Sequence, residues 1–132
     1  MNPNPQLITV ATSKALDQAC EDLEAAVTAH KFGVMTKHDL KQTMAKKGVE
    51  FDRECRIFEV CNPMQAKRVL EADIDVSTAL PCRISIYEED GEVRFSTIRP
   101  TAMLGMFGAA GAEDVAKEVE DTMVAIMEEA AR

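Results

Sequence analysis

Phe58-Glu59-Val60-Cys61-Asn62-Pro63, then Leu80-Pro81-Cys82-Arg83-Ile84-Ser85-Ile86-Tyr87, then the turn Glu89-Asp90-Gly91-Glu92 decide the fold of this chain. They are the core of the stretch from Glu54 to Ile98. Glu54 to Cys61 reads as a strand, and Asn62-Pro63 as a helix start. Asn accepts at the N-cap, Pro has no N–H to lose at the first helical position, and Gln65 is placed to reach back as in a capping box. Ala66, Val69 and Leu70 supply the buried stripe of that helix, which is expected to fade by Asp73. Leu80-Pro81 favours an extended entry into the next strand, because the residue before proline is restricted.

Asp90-Gly91 between two alternating runs is a strong hairpin signal, since a type I′ turn needs positive φ at both central residues. A two-residue loop sets Ile86 opposite Phe95 and Ile84 opposite Thr97, with Cys82 and Val93 on the same, core-facing side. The other side carries Tyr87 opposite Arg94 and Ser85 opposite Ser96, with Arg83 and Ile98.

Gln6 to Val10 reads as an early strand, with Thr12 or Ser13 offered as N-cap to a first helix. Leu16, Ala19, Cys20, Leu23, Ala26 and Val27 recur at helical spacing, ending near His30, and Phe32-Gly33 is the expected stop. Phe32 to Thr36 is predicted as a short strand. Asp39 then caps a short helix carrying Leu40, Thr43 and Met44 inward, closed by Gly48. Met103 to Phe107, interleaved with Gly105 and Gly108, is too rich in glycine to predict a helix. Glu113 to Ala130 is predicted as the closing helix, with Val115, Val119, Met123, Ile126 and Ala130 inward. The whole reads as one domain, 1–132, of α+β class: an antiparallel sheet backed by helices in the order β-α-β4-α, with short helical insertions.

A chain of 132 residues buries a sufficient core without disulfides or a structural metal. The net charge of -8 argues against nucleic-acid binding, which depends on Lys and Arg at phosphates, and against anionic membranes. Met1-Asn2-Pro3-Asn4-Pro5 lacks the pattern of a signal peptide, and no stretch approaches the roughly 20 apolar residues of a membrane span, so the expected location is cytoplasmic. Cys20, Cys55, Cys61 and Cys82 form no C-x-x-C pair and are expected as free thiols. The basic stretch from Lys37 to Lys47 and the acidic one from Glu113 to Glu129 are candidates to approach one another within or between subunits, or to be ordinary solvated helix faces.

With these motifs in view, the chain resembles the family called domain of unknown function 302. The likeness rests on Phe58 to Pro63, Leu80-Pro81-Cys82 and Tyr87 to Gly91, and extends to Ala11-Thr12-Ser13, Gly33-Val34, Asp39-Leu40-Lys41, Pro100 and Met103-Leu104. The resemblance implies a fold like that of the TATA-binding protein: one helix after the first strand, a run of antiparallel strands and a closing helix. It also implies homodimerisation, and it implies no reaction.

Candidate chemistry is therefore weighed residue by residue. Cys61 and Cys82 are read first as small buried hydrophobes. The alternative is a reactive or sulfur-carrying Cys61, whose place before a helix N-cap favours the thiolate, with Cys82 as resolving partner. Metal binding is not expected: Cys55 and Cys61 lie about 20 Å apart on one strand, and no zinc-ligand spacing exists around His30 or His38. No cofactor motif is present, and none is expected. A second candidate site is the outer hairpin face, where Arg83, Ser85, Tyr87, Arg94 and Ser96 alternate and are suited to an anionic small molecule. Met103, Met106 and Phe107 are candidates for a ligand pocket or a dimer seam. The expectation from sequence is a binding or adaptor module for a small molecule or protein, with thiol redox or sulfur transfer at Cys61 as the alternative.

Overall fold

The computed structural model describes residues 4–108 and 112–132, so the reading of Met1 to Pro3 lies outside the described residues. In order, the chain forms β1 (Leu7–Thr12), α1 (Leu16–Ala29), β2 (Gly33–Asp39), α2 (Leu40–Lys46), β3 (Cys55–Cys61) and α3 (Pro63–Ala72). A 3-10 helix (Ile74–Ala79), β4 (Cys82–Glu89), β5 (Glu92–Ile98), α4 (Pro100–Gly105) and α5 (Ala112–Ala131) follow. The five strands make one antiparallel sheet in the order β1-β5-β4-β3-β2. The class is α+β as the sequence predicts. The crossover through α1 carries the chain from one edge of the sheet to the other.

The hairpin sits in the predicted register, with Ile86 opposite Phe95, Tyr87 opposite Arg94 and Ser85 opposite Ser96. Asp90 and Gly91 both have positive φ, 53° and 80°, as a type I′ turn requires. The inward side of the sheet brings Ile8, Phe58, Val60, Ile84, Ile86 and Phe95 under α1 and α5, whose buried stripes close the core. Each such fully buried side chain contributes about 1.5–3 kcal/mol of apolar transfer.

Several local readings are corrected. Thr12 does not cap α1, whose N-cap is Ala15 with no side-chain bond. Thr12 belongs to β1, and its hydroxyl donates to Ala131 O at 2.9 Å, while Lys14 Nζ donates to Ala130 O at 2.9 Å. Both groups satisfy carbonyls left open at the end of α5.

The stop of α1 is Lys31 rather than Gly33. Lys31 takes φ 65°, its N–H reaches Thr28 O at 3.0 Å, and Phe32 N–H reaches Val27 O at 3.0 Å, which is a Schellman arrangement built on lysine. Phe32 thus packs at the helix end, and β2 runs on to Asp39 with an irregularity between Val34 and Thr36 that leaves Met35 63% exposed. Asp39 caps α2 as predicted, accepting from Gln42 N–H at 3.0 Å, but Thr43 is exposed because the short helix only half-buries Leu40 and Met44.

Pro100 to Gly105 is helical despite its glycine. Arg99, the N-cap, offers no side-chain bond. The Glu120 carboxylate of α5 takes its place, accepting from Thr101 N–H at 3.1 Å and Thr101 Oγ1 at 2.6 Å. Within the chain, and among the described residues, the basic and acidic stretches do not pair with each other. Lys37 and Lys41 pair with Glu24 and Glu54, whereas acids of α5 meet Arg68, Arg99 and His30.

Candidate functional site

The two cysteine motifs meet where Val60 of β3 pairs with Cys82 of β4. Cys61 ends β3, and the next residue, Asn62, starts α3. Its Oδ1 accepts from Gln65 N–H at 3.0 Å, and its Nδ2 donates to Lys31 O at 3.1 Å, so one side chain fixes both the start of α3 and the end of α1. Leu80 is extended at φ -112° and ψ 156°, as its position before Pro81 dictates, and delivers Cys82 into the core at 8% exposure.

Between this corner, α3, α4 and α5 lies an almost wholly apolar cavity of about 30 Å³. Cys61, Cys82, Gln65, Leu80, Met103 and Leu104 are among its walls. A wider cleft of about 200 Å³ adjoins it, sharing Leu80, Cys82 and Met103 and adding Thr78, Arg83 and Thr97. Burial pushes the Cys61 thiol up from its ordinary value. Burial first, and the neighbouring Cys61 charge second, push Cys82 to about 11. At Cys61, burial thus opposes the thiolate that the adjacent helix start favours.

One polar atom here has no partner. Gln65 Oε1 is buried and accepts no hydrogen bond, so the reciprocal half of the predicted capping box is not made. Sequence gave no warning of it, because the reach-back depends on side-chain direction.

The outer hairpin face brings Arg83, Ser85, Tyr87, Arg94 and Ser96 together, but their polar groups are engaged with one another and with acids. Arg94, only 6% exposed, donates to Glu92 at 2.9 Å and Glu89 at 2.8 Å, and lies 3.5 Å from Asp90. Tyr87 Oη, Ser96 Oγ and Thr9 Oγ1 form a hydroxyl chain at 2.8 and 2.9 Å. Ser85 faces Cys55 Sγ at 3.9 Å, and Arg83 donates to Glu59 at 3.2 Å. Arg83 alone of the five also lines the cleft.

An open groove of about 700 Å³ between α1, α2 and β3 is lined by opposed charges. Arg56 meets Asp17 at 3.0 Å, and Lys37 meets Glu24 at 2.6 Å. Arg56 Nε lies 3.8 Å from Asp39, close enough for charge attraction but too far for a hydrogen bond. Cys20, buried against Arg56, is pushed up by burial despite the opposing guanidinium. Among the described residues, no group of three or more His, Cys, Asp or Glu converges as metal ligands, and no helix is long and apolar enough to cross a membrane.

Fold and corner together define a small α+β protein: a five-stranded antiparallel sheet backed by helices, with a cleft where the 3-10 helix, β4, β5 and α4 meet. The family model for Domain of unknown function DUF302 matches residues 8–130, and the chain belongs to that family. The crystal structure of an uncharacterized conserved protein DUF302 from Bacillus stearothermophilus is similar at TM-score 0.92 and 29% identity, covering 98% of this chain and 100% of that one. No curated protein matches the chain.

Proposed function

We propose that this chain is a binding module for a small molecule, held in the cleft at Leu80-Pro81. The observation that supports it is the adjoining of an open cleft of about 200 Å³ and an inner apolar cavity across Leu80, Cys82 and Met103. Ligand sites are concave, mostly apolar and supplied with few polar groups. The outer hairpin face suits an anion less well, since both its arginines already hold carboxylates. The same pairing leaves that face without the free cationic footprint that nucleic-acid phosphates require. Native mass spectrometry of freshly purified protein, with Met103 methyl resonances followed during a fragment titration, tests the reading. A retained mass or saturable Met103 shifts support it; a bare protein with unmoved Met103 refutes it.

The thiol reading stands second, because Cys61 and Cys82 share a cavity wall and the charge of one acts on the other. Burial of both weighs against it at neutral pH. Alkylation of Cys61 at pH 7 faster than in the urea-unfolded chain would revive it. A homodimer is proposed from the family resemblance, and sedimentation that shows a concentration-independent monomer would refute it. Cytoplasmic location is proposed with it, since four free thiols suit a reducing compartment.

A further inference from the structure

We propose that the cleft at Leu80-Pro81 takes a small monocarboxylate, with its apolar chain against Leu80 and Met103 and its carboxylate held at the mouth by the two outer nitrogens of Arg83. The inference rests on the cleft reading above and adds the class of ligand and the residue that anchors it.

The cleft lies where the hairpin opens at its base. Pairing of β4 with β5 runs back from Glu89 and Glu92 to Ser85 and Ser96 and stops there. Cys82 and Arg83 on one strand and Thr97 and Ile98 on the other lie past that last pair, and all four line the cleft. In this opening Thr97 Oγ1 donates to Arg83 O at 2.6 Å. Thr78, also on the wall, spends its hydroxyl proton in the same way, on Asp75 O at 2.8 Å. Neither hydroxyl has a hydrogen left for a ligand, and the Cys82 thiol is a weak donor. Among the described residues of the wall, Arg83 is the one charged side chain.

The two arginines of the hairpin differ in what they have left to offer. All three side-chain nitrogens of Arg94 face carboxylates, those of Glu92, Glu89 and Asp90. Arg83 meets Glu59 through Nε alone, at 3.2 Å, and His38 shares that carboxylate at 3.5 Å. Among the described residues no acceptor meets Nη1 or Nη2 of Arg83. The pairing that closes the hairpin face to anions is therefore complete at Arg94 and partial at Arg83. The Arg83 side chain is 67% exposed, so its open N–H groups are accessible, and its long arm is rooted in the cleft wall. A guanidinium offers its nitrogens as a planar fork that matches a carboxylate. The cleft of about 200 Å³ has room for roughly seven waters at about 30 Å³ each. That is the size of a short-chain acid such as hexanoate.

The test uses the full chain and two probes at pH 7. Hexanoate and hexanamide share a shape and differ in charge. Each is titrated while the Met103 methyl and the Arg83 Nε–H are followed by NMR. Hexanoate is expected to bind about five- to tenfold more tightly, between the factor for an exposed ion pair and that for a hydrogen bond to a charged group. In Arg83→Met, which keeps an apolar stem and loses the fork, hexanoate is expected to fall to the level of hexanamide. Hexanamide that matches or exceeds hexanoate in the wild type, or a hexanoate preference that survives Arg83→Met, overturns the proposal and leaves the cleft reading standing. The wild-type comparison holds whether or not the variant folds. If neither probe moves Met103 at millimolar concentration, the cleft reading itself fails, and this inference falls with it.

Discussion

Glu120 holds α4 in place from another helix, and its replacement is the sharpest test of how the cleft wall is built. Its carboxylate accepts from the N–H and the hydroxyl of Thr101 and lies 3.4 Å from Arg99 Nη1. Hydrogen bonds to a charged acceptor are worth about 1.5–3 kcal/mol each, less than additively when they share one partner. Glu120→Ala, which also strands two donors of Thr101, is therefore expected to cost about 2–4 kcal/mol. At about 3–5 °C per kcal/mol for a chain of this size, Tm falls by roughly 6–20 °C. Glu120→Gln keeps an acceptor for Thr101 and loses mainly the half-exposed Arg99 contact, at a cost of about 1 kcal/mol or less. Burial pushes the Glu120 carboxyl up, but Thr101 and Arg99 outweigh it and hold it below the ordinary carboxylate value. A lowered folded-state pKa means the contribution is present above the unfolded value of about 4.3 and is lost as pH falls through the folded one. The gap between wild type and Glu120→Gln should accordingly close in acid. Urea unfolding at pH 7 and at pH 3, with m-values checked, measures all three proteins. Faster amide exchange at Ala102 to Leu104 in Glu120→Ala would show that the loss is local to α4. An alanine variant within 0.5 kcal/mol of wild type, or a glutamine variant as unstable as alanine, would refute the reasoning.

Gln65→Met removes the unpaired oxygen and should raise stability by about 1 kcal/mol in urea titration, a loss of similar size counting against an orphaned acceptor. Gly91→Ala places a Cβ at φ 80°, and the hairpin should lose about 1–2 kcal/mol; a neutral result would mean that the turn is not type I′. Replacing Arg94 by Met leaves Glu89, Asp90 and Glu92 crowded at the hairpin end. Its destabilisation relative to wild type should therefore shrink as added salt screens the carboxylates, and a salt-independent difference in thermal melts would contradict the ion-pair account. Cys82, pushed to about 11, should resist alkylation in the folded chain until strongly alkaline pH, and modification at pH 7 without unfolding, read by mass spectrometry, would show the core corner to be open.

What could be read in advance was what neighbours in sequence decide. Asp90-Gly91 sets a turn by its own backbone, and the register of β4 on β5 follows from it without any other part of the chain. Asn62 and Asp39 cap the helices that follow them, because the bond spans three residues. The misreadings share the opposite property. Thr12 sits where a cap would be useful and is drawn instead to Ala131, at the far end of the chain. Pro100 to Gly105 lacks a local cap and receives one from Glu120. Lys31 takes positive φ where glycine was the obvious stop, helped by Asn62 reaching its carbonyl from beyond β2. The site follows the same division. The placement of Cys82 on the core side and of Cys61 at a strand end was legible. The cavity was not, because its walls come from β3, α3, the segment before β4, α4 and α5, and a void is a property of how those surfaces fail to meet.

The same reasoning decides which substitutions can report on function. Around the cavity, most residues already hold the fold. Asn62 joins two helix ends, Val60 pairs with Cys82, and Leu104 and Val119 are core. Changing any of them lowers stability first, and any loss of binding would be a consequence of that. Gln65 differs, since among the described residues its oxygen is one of two buried side-chain polar atoms without a hydrogen bond, and the other, Arg56 Nε, has a carboxylate 3.8 Å away. A group that is desolvated and bonds nothing weakens the fold that contains it. Removing it should therefore strengthen the protein, whereas changes at the residues that hold the fold weaken it. A change in ligand binding in a variant more stable than wild type could not be ascribed to a weakened fold, so Gln65→Met separates the two effects where its neighbours do not.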